Sequence, residues 1–225
     1  MTAFHLVART ALAAGLLLSM WVAPAVAARP DLALAPYREL ARSPAARLLL
    51  AVARAALEGR WSAAPPDPAI APDWPGASTA LYLSLVRGGV TRACVGHPAP
   101  PRGSLAECVR TLAEAVLASD PRHPPLRRNE LATLRIVLAF AGAGESVADP
   151  MSVDPGREGL LVGGARGHIA FLPGEARTVA WALREARRVG VLDATEPGEF
   201  TRFPVVTITE PESPTPRGEA PDEDE

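Results

Sequence analysis

The sequence contains no lysine; all 23 basic residues are arginine. That absence excludes Walker-type phosphate loops, Schiff-base lysines and Ser-x-x-Lys acyl-transfer sites, each of which needs the ammonium group. Charge of neither sign dominates: 25 acidic residues oppose the arginines, for a formal net charge of -2. So balanced a chain lacks the broad cationic field of a general nucleic-acid binder, and no nucleic acid partner is expected. Aromatic residues make up only 5% of the chain. Two cysteines permit one disulfide at most and no staple framework. No G-x-G-x-x-G, H-E-x-x-H, EF-hand or G-x-S-x-G pattern occurs, and no cofactor is expected. Cys94, His97, Cys108 and His123 could donate to a metal, but only the first two have ligand-like spacing, and no metal site is expected.

What remains is 225 residues, 48% apolar, with 24 Pro and 18 Gly. This suits one real core flanked by long loops or tails. Residues 1–27 read as a signal peptide: Arg9, an apolar run over 11–22, Pro24, then the small-x-small pattern Ala25-Val26-Ala27. The run is short for a span, so a secreted or periplasmic protein without stable membrane insertion after cleavage is expected. Residues 28–42 form the N-terminal segment of that mature chain, and 43–209 its folded domain. Residues 210–225, with seven acids, four prolines and one Arg, have the composition of an acidic disordered tail. Residues 28–209 carry 21 Arg and 18 acids, a net of +3, which such a tail would screen.

Within the domain, Ser43-Pro44 starts a helix with Ser as N-cap and an apolar stripe of Leu48, Val52 and Ala56, joined by Leu49 and Leu57. A Pro-rich connector covers 62–78. Residues 79–86 alternate as a strand, Gly88-Gly89 turns the chain, and 90–96 return. Ser104 and Glu107 form a capping box ahead of the stripe Leu105, Val109, Leu112 and Val116. Residues 131–140 read as a third strand, 159–162 and 168–172 as a hairpin around the Gly163-Gly164 loop, 175–189 as a helix stopped by Gly190, and 203–208 as a last strand. The order predicts an α+β fold with a small, mostly antiparallel sheet and helices packed on one face.

Two segments carry candidate chemistry. Strand alternation puts Arg92 and Cys94 on one face, and a guanidinium beside a thiol favours the thiolate. His97 would join Cys94 if the chain turned at Gly96. The bland reading makes Cys94 a small packed hydrophobe, and a Cys94–Cys108 disulfide closing a 15-residue loop is a third. In Asp120-Pro121-Arg122-His123-Pro124-Pro125, prolines present Arg122 and His123 stiffly, and Arg offers a planar fork to carboxylate or phosphate. Arg92, Asp120, Arg122 and His123 are therefore the candidate ligand-binding residues. The alternative is that the arginines pair internally, with Asp120 or Glu130.

Together these segments resemble the AMMECR1 domain family. The likeness rests on Thr91-Arg92-Ala93-Cys94-Val95-Gly96, Asp120-Pro121-Arg122-His123-Pro124-Pro125-Leu126, Glu130-Leu131, Gly159-Leu160-Leu161-Val162 and Phe171-Leu172-Pro173, in order across residues 45–208. It departs at Ala93, where the family has Gly, at His123 for Phe, at Ala132 for Pro, and in lacking a Trp-Asp pair after Pro173. The resemblance implies an α+β fold with a second, smaller lobe and an activity not established for the family. It implies a system with a Memo-like protein and a radical-SAM-type protein as partners, and Arg92, Cys94, Asp120 and Arg122 as site elements. The favoured expectation is an accessory or binding protein for a small anionic ligand or a protein partner. A thiol-dependent enzyme using Cys94 activated by Arg92 is the alternative, and a structural secreted domain the third.

Overall fold

The computed structural model describes residues 34–59, 80–97, 104–118, 120–193 and 197–211. The expected signal peptide, the connector 62–78 and all of the acidic tail beyond Pro211 lie outside the described residues.

Helices α1 (Ala35–Arg42) and α2 (Pro44–Leu57) follow each other directly. Ser43 ends the first rather than capping the second: its Oγ donates to Leu40 O at 2.8 Å, and it makes no side-chain cap on α2. The buried stripe of α2 is Ala46, Leu49, Leu50, Ala53, Ala56 and Leu57, an i, i+3, i+4, i+7 series. The expected stripe was rotated from this one, and Leu48 is exposed.

Strands β1 (Ala80–Arg87) and β2 (Val90–His97) form the expected hairpin. Its turn needs positive φ twice, and Gly88 and Gly89 supply it at 58° and 77°. Helix α3 (Leu105–Ala115) begins at Ser104, whose Oγ accepts the Glu107 N–H at 3.2 Å. A 3-10 turn over Arg128–Thr133 occupies the start of the expected third strand, so β3 runs over Arg135–Ala141. The first sheet has the antiparallel order β2-β1-β3-β8, with β8 at Val205–Thr209. Leu81, Leu83, Leu85, Ile136, Leu138 and Phe140 turn one face to the helices and are fully buried or nearly so. Each such side chain contributes about 1.5–3 kcal/mol by leaving water.

The second sheet has the order β4-β7-β5-β6 and is also antiparallel. Its strands are β4 (Glu145–Ser146), β5 (Gly159–Gly164), β6 (Gly167–Phe171) and β7 (Glu199–Phe203). Helix α4 (Val179–Arg188) packs on it through Val179, Ala182 and Ala186. The helix starts four residues later than the periodicity suggested, because Thr178 Oγ caps the Trp181 N–H at 3.1 Å and Gly174, with φ at 81°, turns the chain before it. The expected last strand is two strands. Pro204, which has no N–H to donate, separates β7 in one sheet from β8 in the other, and its carbonyl accepts from Gly142 N at 2.8 Å.

The architecture is therefore α+β, as expected, with two antiparallel sheets and helices packed against them. The unused face of the first sheet meets the second through Ala139, Ala141, Leu172 and Phe203. Tyr82 stacks near Phe203 there, with ring centroids 6.2 Å apart. Among the described residues, no helix is long and apolar enough to cross a membrane.

Candidate functional site

The seam between the two sheets gathers most of the candidate residues, but not in the expected pairs. In the β1–β2 register Leu85 faces Ala93 and Val86 faces Thr91, which leaves Arg92 as the extra residue of a β-bulge. The bulge resets the alternation, so Thr91 shares the inner face with Ser84 and Val86. Arg92 leans away to Glu130, donating from Nε at 2.9 Å and Nη2 at 3.0 Å, and from Nη1 to Pro124 O at 3.1 Å. The expected Arg92–Cys94 pair is not formed. Nor is the Cys94–His97 pair: β2 runs straight through Gly96, and exposed His97 stays in register with Leu81. Gly96 leaves room for the Tyr82 ring, since a Cβ there would lie 2.1 Å from Tyr82 Cδ1.

Cys94 lies in the seam and Cys108 in the helical core across the sheet; both are free thiols. Placement on opposite faces of the sheet is why the third reading, a disulfide, does not arise. Burial pushes the Cys94 thiol up to about 12, reinforced by the Glu175 carboxylate. Arg122 and the Ser84 hydroxyl oppose that rise and are outweighed. The expected activation of the thiol by a guanidinium is therefore reversed. Ser84 sits directly opposite Cys94, is 2% exposed, and its Oγ has no partner of ordinary hydrogen-bond geometry. A buried hydroxyl left so costs about 1–3 kcal/mol.

The ionic centre of the seam is Arg122. Its guanidinium donates from Nε to Asp120 Oδ1 at 3.0 Å and from Nη2 to Oδ2 at 2.8 Å. Nη1 reaches Glu175 Oε1, and the guanidinium carbon lies 5.8 Å from the Phe171 ring centroid. Asp120 also accepts the N–H of Arg122 at 2.9 Å and of Cys94 at 2.8 Å, tying the turn to the edge of β2. Glu175 Oε2 accepts from Leu172 N at 3.0 Å. Burial would raise the Asp120 carboxyl, but Arg122 and the two N–H groups hold it below the ordinary value. For Glu175 burial wins over Arg122 and the Leu172 N–H, and its carboxyl is raised. His123 is half-buried beside this cluster; burial lowers its imidazole, with Asp120 opposing the shift.

Three cavities surround this cluster. One of about 250 Å³ lies between the β1–β2 turn and α4, with Thr91, Arg122, His123, Glu175, Arg177 and Trp181 among its walls. A second, of about 220 Å³, includes Cys94, Tyr82 and Asp120. A third, of about 250 Å³, lies across the inner face of the first sheet and includes Ser84 and Glu175. Arg122 borders the first two, and Glu175 the first and third. Sequence reasoning singled out Asp120, Arg122, His123 and Cys94, which the fold brings together. It did not single out Glu175, Ser84 or Arg177. The turn dipeptide Pro173-Gly174 followed by a Thr178 cap was the signal that Glu175 stands outside the helix. Among the described residues, no group of three or more His, Cys, Asp or Glu side chains is placed to hold a metal ion.

The AMMECR1 family model matches residues 50–197, and the chain belongs to this family. A protein of Methanosarcina barkeri is 27% identical over 92 residues, 39% of this chain and 45% of that protein. A protein of Thermotoga maritima is 31% identical over 120 residues, 52% of this chain and 69% of its own length. The chain spans less than half the length of the three Methanosarcina relatives it matches, at 45%, 43% and 46%. The crystal structure of an uncharacterized protein from Pyrococcus horikoshii has the same fold, with a TM-score of 0.52 and 22% identity over 72% of this chain and 90% of that one.

Proposed function

We propose that this protein is an accessory or binding protein that takes a small anion in the cleft beside α4, with Arg177 as the recognising cation. One observation carries the reading. Arg177 is exposed on the cleft and makes no hydrogen bond or ion pair among the described residues, whereas Arg92 and Arg122 are both committed to carboxylates. A free guanidinium fork suits carboxylate or phosphate, and Trp181 supplies an apolar wall. A thiol-dependent enzyme is disfavoured because burial and the Glu175 carboxylate push the Cys94 thiol up rather than activating it. A second reading draws on the exposed Val90 and Trp181 at the rim: a protein partner, of the Memo-like or radical-SAM type suggested by the resemblance, could seat a side chain there. The test is thermal unfolding with added acetate or inorganic phosphate. The anion should raise the melting temperature of wild type and of Arg92→Ala, but not of Arg177→Ala. Stabilisation that survives in Arg177→Ala would reject the assigned cation; none in wild type would reject the anion and favour the partner.

The sequence of residues 1–27 supports a second proposal, that the protein works after export, in the periplasm or outside the cell. An exported form beginning at Ala28 is the expected result of N-terminal sequencing; a soluble cytoplasmic form with Met1 intact would overturn it.

A further inference from the structure

We infer that the anion bound in this cleft is one end of a polyhydroxylated molecule, of the aldonic acid or sugar phosphate class, whose hydroxyl-bearing chain lies on the inner face of the first sheet. The anionic end rests on the reading above; the hydroxylated end rests on separate observations.

The cavity across the sheet is floored by hydroxyls from three strands: Ser84 of β1, Thr91 of β2, and Thr207 and Thr209 of β8. Strand alternation sends Leu83, Leu85 and Ile208 to the helical core and these residues to the other face. Further along, that same face is apolar, where Ala139 and Ala141 meet Leu172 and Phe203. The hydroxyls thus mark the part of the seam that the second sheet does not cover. The turn holding Leu172, Pro173, Gly174 and Glu175 roofs it.

Ser84 is the observation that points to a ligand. It is 2% exposed, lines this cavity, and its hydroxyl has no partner of ordinary geometry. A core position that needed only bulk would take Ala or Val and avoid the orphaned group. A hydroxyl can donate and accept at once, which suits another hydroxyl better than an ion.

The two cavities adjoin. Gly89, Thr91, Gly174 and Glu175 line both. Gly89 and Gly174 have nothing within 4 Å of where a Cβ would stand, so no side chain crowds the shared border at either. Each cavity is about 250 Å³, and joined they enter the usual small-molecule range of about 300–1,000 Å³. The carboxylates along the way do not repel an anion strongly: Glu175 faces Arg122, and Glu185 is held by Arg188. Arg135 also lines the hydroxylated cavity but already has a partner, so Arg177 is the uncommitted cation that sets the charged end of the ligand.

Calorimetric titration of the full chain with gluconate, glucose 6-phosphate, acetate, inorganic phosphate and glucitol tests this. Gluconate should bind at least tenfold more tightly than acetate, and glucose 6-phosphate more tightly than phosphate. Ser84→Ala should erase that advantage while leaving acetate unchanged, and Thr207→Val, at an exposed position, should reduce it without threatening the fold. Gluconate binding no better than acetate, or an advantage untouched by both variants, would overturn the inference and leave the Arg177 reading standing. Glucitol binding as tightly as gluconate would also overturn it. Failure of every anion would remove both readings.

Discussion

Replacing Arg122 by Leu should be the most damaging single polar substitution in the described structure. The Arg122, Asp120 and Glu175 side chains are 4%, 3% and 5% exposed, so water screens none of them. Leucine fills part of the volume but removes the two side-chain donors to Asp120 and the one to Glu175, leaving two buried carboxyls without a countercharge. Removing one partner of a buried ion pair costs about 3–5 kcal/mol, a large part of the roughly 5–15 kcal/mol that holds a domain folded. Arg92→Ala is the control: its pair with Glu130 is more open, with side chains 16% and 21% exposed, and its loss should cost much less.

The pH dependence sharpens this. In wild type the Glu175 carboxyl is raised above its ordinary 4.5, so its contribution is present below that value and fades as pH climbs through the raised one. Asp120 is held below its ordinary 3.8; its contribution is present above that value and fades as pH falls. Without the guanidinium, burial is opposed only by the backbone N–H groups of residue 122, Cys94 and Leu172, so both carboxyls rise relative to wild type. The folded variant then holds its protons to higher pH than folded wild type, and its stability falls relative to wild type as pH rises. Urea unfolding followed by circular dichroism should show the gap between Arg122→Leu and wild type widening as pH rises above the ordinary carboxyl values. A gap that does not change with pH, or one no larger than that of Arg92→Ala, would refute the reasoning.

Cys94 and Cys108, pushed up to about 12 and about 11 by burial, should resist iodoacetamide at neutral pH and react only on unfolding, as read by intact mass. Gly164→Ala should destabilise by about 1–3 kcal/mol, because its Cβ would meet Val191 O at 2.0 Å, a backbone atom that cannot swing aside. Calorimetric melting of Gly88→Ala, where the space is open and only φ of +58° is strained, should show a loss nearer 1 kcal/mol. Truncation after Pro211 should leave urea stability unchanged, whereas truncation after Thr209 should cost about 1–2 kcal/mol by removing Glu210. That residue, counted with the acidic tail on composition, pairs with Arg54 of α2 and accepts from Ile136 N at 3.0 Å.

What was legible in the sequence is what depends on neighbours in the chain. The Gly88-Gly89 turn and the Leu81, Leu83, Leu85 face follow from local spacing and formed as read. Ser104 caps its helix, but the expected capping box is only half made, because the Glu107 carboxylate accepts from Arg110 instead. What was illegible depends on one residue more or less, or on a distant partner. A single bulged residue at Arg92 reverses which neighbour of Cys94 shares its face, and alternation alone cannot reveal an extra residue. Glu175 reads as a first-turn helical acid, a favoured place for one, until the Thr178 cap claims the start of α4. Pro204 inside an expected strand was the visible trace of a chain that changes sheets, though not of the sheet it joins.

The same distant partners explain why the cluster sits where it does. The apolar seam between the sheets has a fully buried centre of only Ala139, Ala141, Leu172 and Phe203, with Tyr82, Leu161 and Val205 among the partly buried residues around it. Apolar packing of this kind is non-directional, and polar contacts add a fixed geometry to how the sheets meet. Asp120 binds the turn to β2 through the Cys94 N–H, and Arg122 joins that turn to the β6–α4 turn through Glu175. Arg188 of α4 adds a donor to Arg122 O at 2.9 Å. These bonds set the distance between the β1–β2 turn and α4, which is the width of the cleft holding Arg177. Asp120 and Arg122 can therefore control binding by positioning the walls, without giving up their own charges to a ligand.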